Sequence, residues 1–216
     1  MGTYVNPGNS AFAGILNDQY VDKTGLIGLI NKTIETPRRL TCISRPRRFG
    51  KSFAAQMLCA YYDRSCDSSK LFRGKDISRD ESYEQYLNQY NVIYVDMTYI
   101  KPFTDNFKTI VPYLSAKITE ELKTAYLESS VSDELPAVMI HAAEVSGSKF
   151  VMLIDEWDAP IRENPEVQRE YLEFLRSLFK SSGTTAKIFA AAYMTGILPI
   201  KKMGISQLSL ISGSTR

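Results

Sequence analysis

The chain has 216 residues, 44% of them hydrophobic and 23% charged, with a formal net charge of +2. That length fits one α/β domain, or one and a fraction, and the apolar share is enough to fill a core, which excludes a disordered chain. No apolar run approaches the ~20 residues that cross a bilayer, and no basic start precedes an apolar segment, so the expectation is a cytoplasmic protein with no membrane partner.

Residues 1–19 are rich in Gly, Asn and Ala and read as loop with short turns. Tyr20–Thr24 leads into a helix that Asp22 or Thr24 could cap, with Leu26, Ile27, Leu29, Ile30 and Ile34 on its apolar face and Pro37 as its stop. Leu40–Ser44 is a short strand. Ser52–Tyr62 reads as a helix, with Phe53, Met57, Leu58 and Tyr61 on one side, and Ala54 and Ala55 small enough to lie close to a sheet. Glu81–Tyr90 suggests a short helix and Asn91–Thr98 a strand. Phe107–Leu127 is a long amphipathic helix with Pro112 near its true start. Pro136–Glu144 is a further helix, closed by Gly147-Ser148.

Lys149–Glu156 is the strongest strand, and its near-continuous apolar character suits burial on both faces. Asn164–Lys180 reads as a helix with Val167, Tyr171, Phe174, Leu175 and Leu178 inward, ended by Ser181-Ser182-Gly183. Ala186–Met194 is a fourth strand. Ile205–Ile211 fits either a strand or part of a helix. Strands alternating with helices predict an α/β fold with a mostly parallel sheet.

Cys42, Cys59 and Cys66 show neither metal-ligand spacing nor a CxxC pair. Cys42 and Cys59 lie in apolar stretches and read as reduced core residues, while Cys66 sits among polar neighbours. His141 is the only histidine and lies on a predicted helix away from the motifs, which argues against histidine acid–base chemistry.

The chemistry concentrates in Ser44–Ser52, between the first strand and the next helix. The phosphate-loop pattern GxxxxGK[ST] is kept at Gly50, Lys51 and Ser52, and its first glycine position is Arg45. Gly50 lets backbone approach phosphate where a Cβ would intrude. The amides from about Arg48 to Phe53 can form an anion cradle at the helix start, so Arg47, Arg48, Phe49, Gly50, Lys51, Ser52 and Phe53 are the candidate nucleotide-binding residues. Lys51 would reach the β and γ phosphates and Ser52 would offer a hydroxyl to Mg²⁺. The competing reading is a basic turn before a helix.

Asp155 ends a buried strand, at the sheet edge where ligands of open α/β folds bind, and can hold Mg²⁺ with Ser52. Glu156 is placed to take a proton from an attacking water. Alternatively, the two carboxylates cap the next helix. Thr195, just beyond the fourth strand, could orient that water, or simply cap a turn. Asp96 is either a second polar group at the rim or a strand-end cap. Trp157, the only tryptophan, reads as core, and Asp158 as a partner for a neighbouring arginine. Arg38, Arg39, Arg45, Arg47, Arg48 and Lys51 fall within fourteen residues and form a basic patch that a polyphosphate would neutralise.

Tyr20–Thr24, Arg45–Ser52, Leu153–Ile161 and Thr195–Ile200 together resemble the bacterial AAA-ATPase-like domain family, of the additional-strand class of P-loop ATPases. The resemblance covers nearly the whole chain. It implies a three-layer α/β/α fold with strand order 5-1-4-3-2, an N-terminal extension and helix over residues 1–36 and an ATPase core over 37–216. The fifth strand and helical lid look short or missing. It also implies ATP and Mg²⁺ as ligands, with Lys51 and Ser52 in phosphate-loop roles, Asp155 in the metal role, Glu156 as base and Thr195 as the polar residue after strand four. Arg45 looks like a family feature. Asp22 and Lys23 match the family's N-terminal motif, with no assigned role beyond closing the adenine end. Longer members look as though they carry a second, nuclease-like domain.

Three functions follow as expectations. The first is Mg-dependent ATP hydrolysis driving a conformational switch on a protein or nucleic-acid partner, with a homo-oligomer left open. The others are a non-catalytic nucleotide-binding module and a nucleic-acid-binding fragment using the Arg38–Arg48 patch.

Overall fold

The computed structural model describes residues 2–46, 48–126, 133–180, 182–198 and 208–210. Its strands are β1 (Leu40–Ser44), β2 (Asn91–Asp96), β3 (Phe150–Asp155), β4 (Phe189–Gly196) and β5 (Leu208–Leu210). The helices in chain order are α1 (Ser10–Ile15), α2 (Gly25–Asn31), α3 (Lys51–Tyr62), α4 (Ser69–Phe72), α5 (Tyr83–Tyr86), α6 (Met97–Ile100), α7 (Ile110–Tyr126), α8 (Leu135–Ser146), α9 (Ala159–Glu163), α10 (Gln168–Phe179) and α11 (Ser182–Ile188).

The strands form one sheet in the order β5-β1-β4-β3-β2, and every pair is parallel. That is the expected 5-1-4-3-2 arrangement, with the fifth strand present beside β1. Alternate residues of each strand face opposite sides of a sheet, so a parallel sheet needs cover on both. Met152 and Ile154 of β3 join a core with Leu114 and Ile118 of α7, Val138 of α8 and Leu175 of α10. Val151 and Leu153 join the other core with Ala55 and Leu58 of α3, and with Phe12 and Ile27 of the N-terminal helices. The result is three layers, helix–sheet–helix.

All five strands run the same way, so Ser44, Asp96, Asp155 and Gly196 end at one edge. At the opposite edge Arg39 donates to the carbonyls of Thr36, Glu35 and Phe189, tying the start of β1 to the start of β4. The leading segment is also fastened: Val5 bridges Ile93 in antiparallel fashion, and the Glu121 carboxylate accepts the N–H groups of Thr3, Tyr4 and Val5.

Several expectations need correction. Residues 10–15 are helical rather than loop. Leu29 is exposed, so the α2 face is carried by Ile27 and Ile30. Phe53 points away from the sheet and is exposed, because the small Ala54 and Ala55 take the sheet-facing positions. Phe174 is only half-buried, and Leu172 is buried in α10. Strand β4 begins three residues later than expected, at Phe189, because residues 182–188 form a helix. Asp96 is a cap: its carboxylate accepts the N–H groups of Thr98 and Tyr99.

The basic run Arg38–Lys51 is not one patch. Arg38 and Arg39 lie before β1 and Arg45, Arg48 and Lys51 after it, so five residues of strand, ~3.3 Å each, separate the two groups.

Candidate nucleotide site

The loop leaving β1 turns through two left-handed residues, Arg48 at φ +68° and Gly50 at φ +72°, before α3 starts at Lys51. A side chain at Gly50 would bear the left-handed strain, and its Cβ would lie 3.0 Å from Lys23 Nζ. A left-handed turn running into the N-terminus of a twelve-residue helix presents backbone N–H groups to an anion. Arg47, one of the candidate binding residues, lies outside the described residues.

Lys51 is buried, and its ammonium donates to Arg45 O at 3.1 Å and Pro46 O at 3.0 Å. It also lies 3.3 Å from Glu156 Oε1. Residues 105 positions apart therefore meet because β1 and β3 end at the same edge, on either side of β4. Asp155 is buried beside them. Burial pushes its carboxyl above the usual carboxylate range, the hydroxyls of Ser52 and Thr195 pull it back, and the charges of Asp96 and Glu156 raise it further. Thr195, fully buried, donates its hydroxyl to Asp155 Oδ1 and accepts the Glu156 N–H at 3.1 Å. Glu156 itself sits at φ +52°, which for a non-glycine residue costs about 1 kcal/mol and is sustained by the surrounding bonds.

Beyond Glu156, Arg162 donates through Nη2 to Glu156 Oε2 at 2.8 Å and through Nε to Asp158 Oδ2 at 3.0 Å. Asp158 is fully buried, and the same Oδ2 accepts the N–H groups of Ile197 and Leu198 at 3.1 and 2.8 Å. The arginine expected beside Asp158 is thus Arg162, four residues on in the same turn of chain. The i, i+4 spacing signals only the Asp158 pair; the reach to Glu156, six residues back, has no spacing signal in the sequence. Trp157 is fully buried in the core and His141 is exposed on α8, as expected.

The Tyr20–Thr24 motif also acquires a placement. Asp22 accepts the Thr24 and Asp76 N–H groups at 2.9 and 2.8 Å, and Thr24 Oγ1 accepts that of Ile77 at 3.1 Å. Held from both sides, Lys23 carries its ammonium to 3.4 Å from Phe49 O, at the rim of the loop. A cleft of about 1060 Å³ opens there, lined by Tyr20, Lys23, Phe49, Phe53, Met57 and Glu156 among others. Phe49 and Phe53 are the exposed aromatic part of its wall.

The family described as predicted AAA-ATPases matches residues 8–206. The chain belongs to the AAA-ATPase-like family. Membership gives it the P-loop fold of that family, for which nucleotide binding is the general expectation. It is 26% identical over 207 residues to an uncharacterised protein from the vnfD 5′ region of Azotobacter chroococcum mcd 1, covering 91% of this chain. The chain spans 38% of that relative's length. Among solved structures, PCH-2 of C. elegans aligns at TM-score 0.43 and 11% identity, over 87% of this chain and 40% of that one. Cdc6p of Pyrobaculum aerophilum aligns at TM-score 0.45 and 13% identity, over 94% and 49%. Among the described residues of this AAA-ATPase-like chain, no helix is long and apolar enough to cross a membrane.

Proposed function

We propose that this AAA-ATPase-like chain binds Mg-ATP across the loop after β1 and the end of β3, hydrolyses it, and converts the event into a change of shape acting on a protein or nucleic-acid partner. The observation that carries the reading is the meeting of Lys51 with Glu156 beside Ser52 and Asp155.

Gly50 and the amides that follow would cradle the phosphates, with Lys51 and Arg48 supplying positive charge and Lys23 a second lysine at the rim. Phe49 and Phe53 offer apolar surface to the nucleoside. The donor set fits Mg²⁺, since a serine hydroxyl and one buried carboxylate suit a hard cation that takes its other oxygens from phosphate and water. Bound there, the cation supplies charge neutralisation for the transferring phosphoryl group. Glu156 accepts one proton of the attacking water as its oxygen bonds to the γ-phosphorus. The bond to the ADP oxygen breaks, leaving ADP and inorganic phosphate. Thr195 orients Asp155 and Glu156 through its two bonds. Residues 1–36 serve as an extension packed on a core of residues 37–216.

Titration calorimetry with Lys51→Ala tests the binding half: Mg-ATP heat is expected to vanish, and unchanged heat overturns the site. Glu156→Gln is expected to keep the binding heat and lose phosphate release. A wild-type chain that binds but releases no phosphate would favour the non-catalytic module. The nucleic-acid reading is disfavoured by the division of its basic run between two edges of the sheet.

A further inference from the structure

Glu156 has both carboxylate oxygens engaged by cations: Oε1 by Lys51 at 3.3 Å and Oε2 by Arg162 at 2.8 Å. A carboxylate held on both oxygens is a poor proton acceptor, because protonating either one disrupts an ion pair. The two cations differ in how they are anchored. Lys51 hangs on two loop carbonyls, of Arg45 and Pro46, which a polyphosphate outcompetes for an ammonium. Arg162 is bound through Nε to Asp158, which is fully buried and whose same oxygen accepts two backbone N–H groups from the segment after β4. One cation is exchangeable and the other is fixed.

We infer that Arg162 is a positioning residue that holds Glu156 Oε2, so that withdrawal of Lys51 onto the bound triphosphate frees Oε1, already aimed, to take the proton from water. The inference rests on the base role proposed for Glu156 and adds its regulation: the base is uncovered only when phosphate recruits Lys51. Asp158 connects the same clasp to Ile197 and Leu198, so the backbone beyond β4 also bears on where Glu156 points.

The test is steady-state ATP hydrolysis and Mg-ATP calorimetry on Arg162→Gln, Arg162→Lys and Glu156→Gln, with urea unfolding of the nucleotide-free proteins. Arg162→Gln is expected to bind Mg-ATP within about twofold of wild type while kcat falls about ten- to a hundredfold with KM little changed. Arg162→Lys is expected to recover part of kcat, since it restores a charge but not the two-point grip. In urea, the midpoint shifts of Glu156→Gln and Arg162→Gln are expected to be non-additive in the double variant. Wild-type kcat in Arg162→Gln beside an inactive Glu156→Gln overturns the inference and leaves the base reading standing. Additive urea shifts overturn it too, without any recourse to turnover. An active Glu156→Gln, or a wild type without turnover, overturns the base reading and this inference with it.

Discussion

Thr195 and the turn after Asp155 are joined by two successive backbone donors. The Glu156 N–H donates to the Thr195 hydroxyl at 3.1 Å, and the Trp157 N–H donates to the Thr195 carbonyl at 2.8 Å. The hydroxyl proton goes on to Asp155. One side chain therefore holds the Asp155 carboxylate and the Glu156 backbone, at a point where the chain has left β3 and taken a left-handed step.

Thr195→Val keeps the volume and removes both hydroxyl bonds. The buried Asp155 carboxylate then keeps only the Ser52 hydroxyl, and the Glu156 N–H lacks an acceptor. A loss of about 1–3 kcal/mol in urea unfolding is expected, with weakened Mg-ATP binding by calorimetry.

Gly196→Ala would place a Cβ 2.6 Å from Trp157 Nε1 and 2.7 Å from Asp158 Oδ1. Both neighbours are fully buried, so neither swings clear. The substitution is expected to cost about 1–3 kcal/mol through overpacking, with a shift in the emission of the single tryptophan as the accompanying signal.

Asp22 gives a pH signature. Burial pushes its carboxyl up, but the N–H donors of Thr24 and Asp76 outweigh that, and the net shift is downward from 3.8. A depressed folded value means stability that is fully present above 3.8 and is lost as pH falls through the folded value. Asp22→Asn is therefore expected to melt below wild type at pH 7, by about 0.5–1 kcal/mol. The gap should close in acid; a gap that widens in acid contradicts the assignment.

Lys23→Ala leaves the Asp22 and Thr24 anchors in place and removes only the ammonium at the loop rim. Mg-ATP affinity is expected to fall about three- to tenfold, with melting unchanged in the absence of nucleotide. Equal affinity for wild type and variant would remove Lys23 from the phosphate site.

The cysteines should separate by burial. The Cys42 thiol is pushed up to about 12, by burial first and then by the charge of Asp158, and burial likewise raises Cys59 well above the ordinary thiol range. Cys66 is raised too but is only partly covered. A thiol reagent at neutral pH is expected to modify Cys66 alone in the folded protein and all three in urea, read by mass spectrometry.

The parts legible in the sequence are those that burial writes in one dimension. Phe150–Ile154 is apolar on every residue because the strand is covered on both faces, and that unbroken run could be read directly. Gly50-Lys51-Ser52 and Asp155-Glu156 stand out as candidates in the sequence because phosphate chemistry asks for those residue types, and the structure brings them to one sheet edge. Strand alternation implies only a mostly parallel sheet; the sheet order comes from the family resemblance. The misreadings occur where tertiary contact overrides local composition. The alanine run 190–192 extends an apolar signal backward into residues that are helical, and Phe53 looks like core until the sheet is seen to accept Ala54 and Ala55 instead. Arg162 was hidden for another reason. Its partner Asp158 is a local matter, but its hold on Glu156 depends on a left-handed turn that no spacing rule announces.

Arg39 has a counterpart meaning for motion. At its end of the sheet the strands are fastened by a guanidinium to main-chain oxygens, contacts no nucleotide competes for. At the other end the hydrogen bonds of Thr195 are supplemented by ion pairs of Lys51, Glu156 and Arg162, which a polyanion can compete for. On the function proposed above, a ligand arriving there would loosen one pole while the other stays riveted, so the sheet would act as a stiff handle and pass the displacement to the loops beyond it.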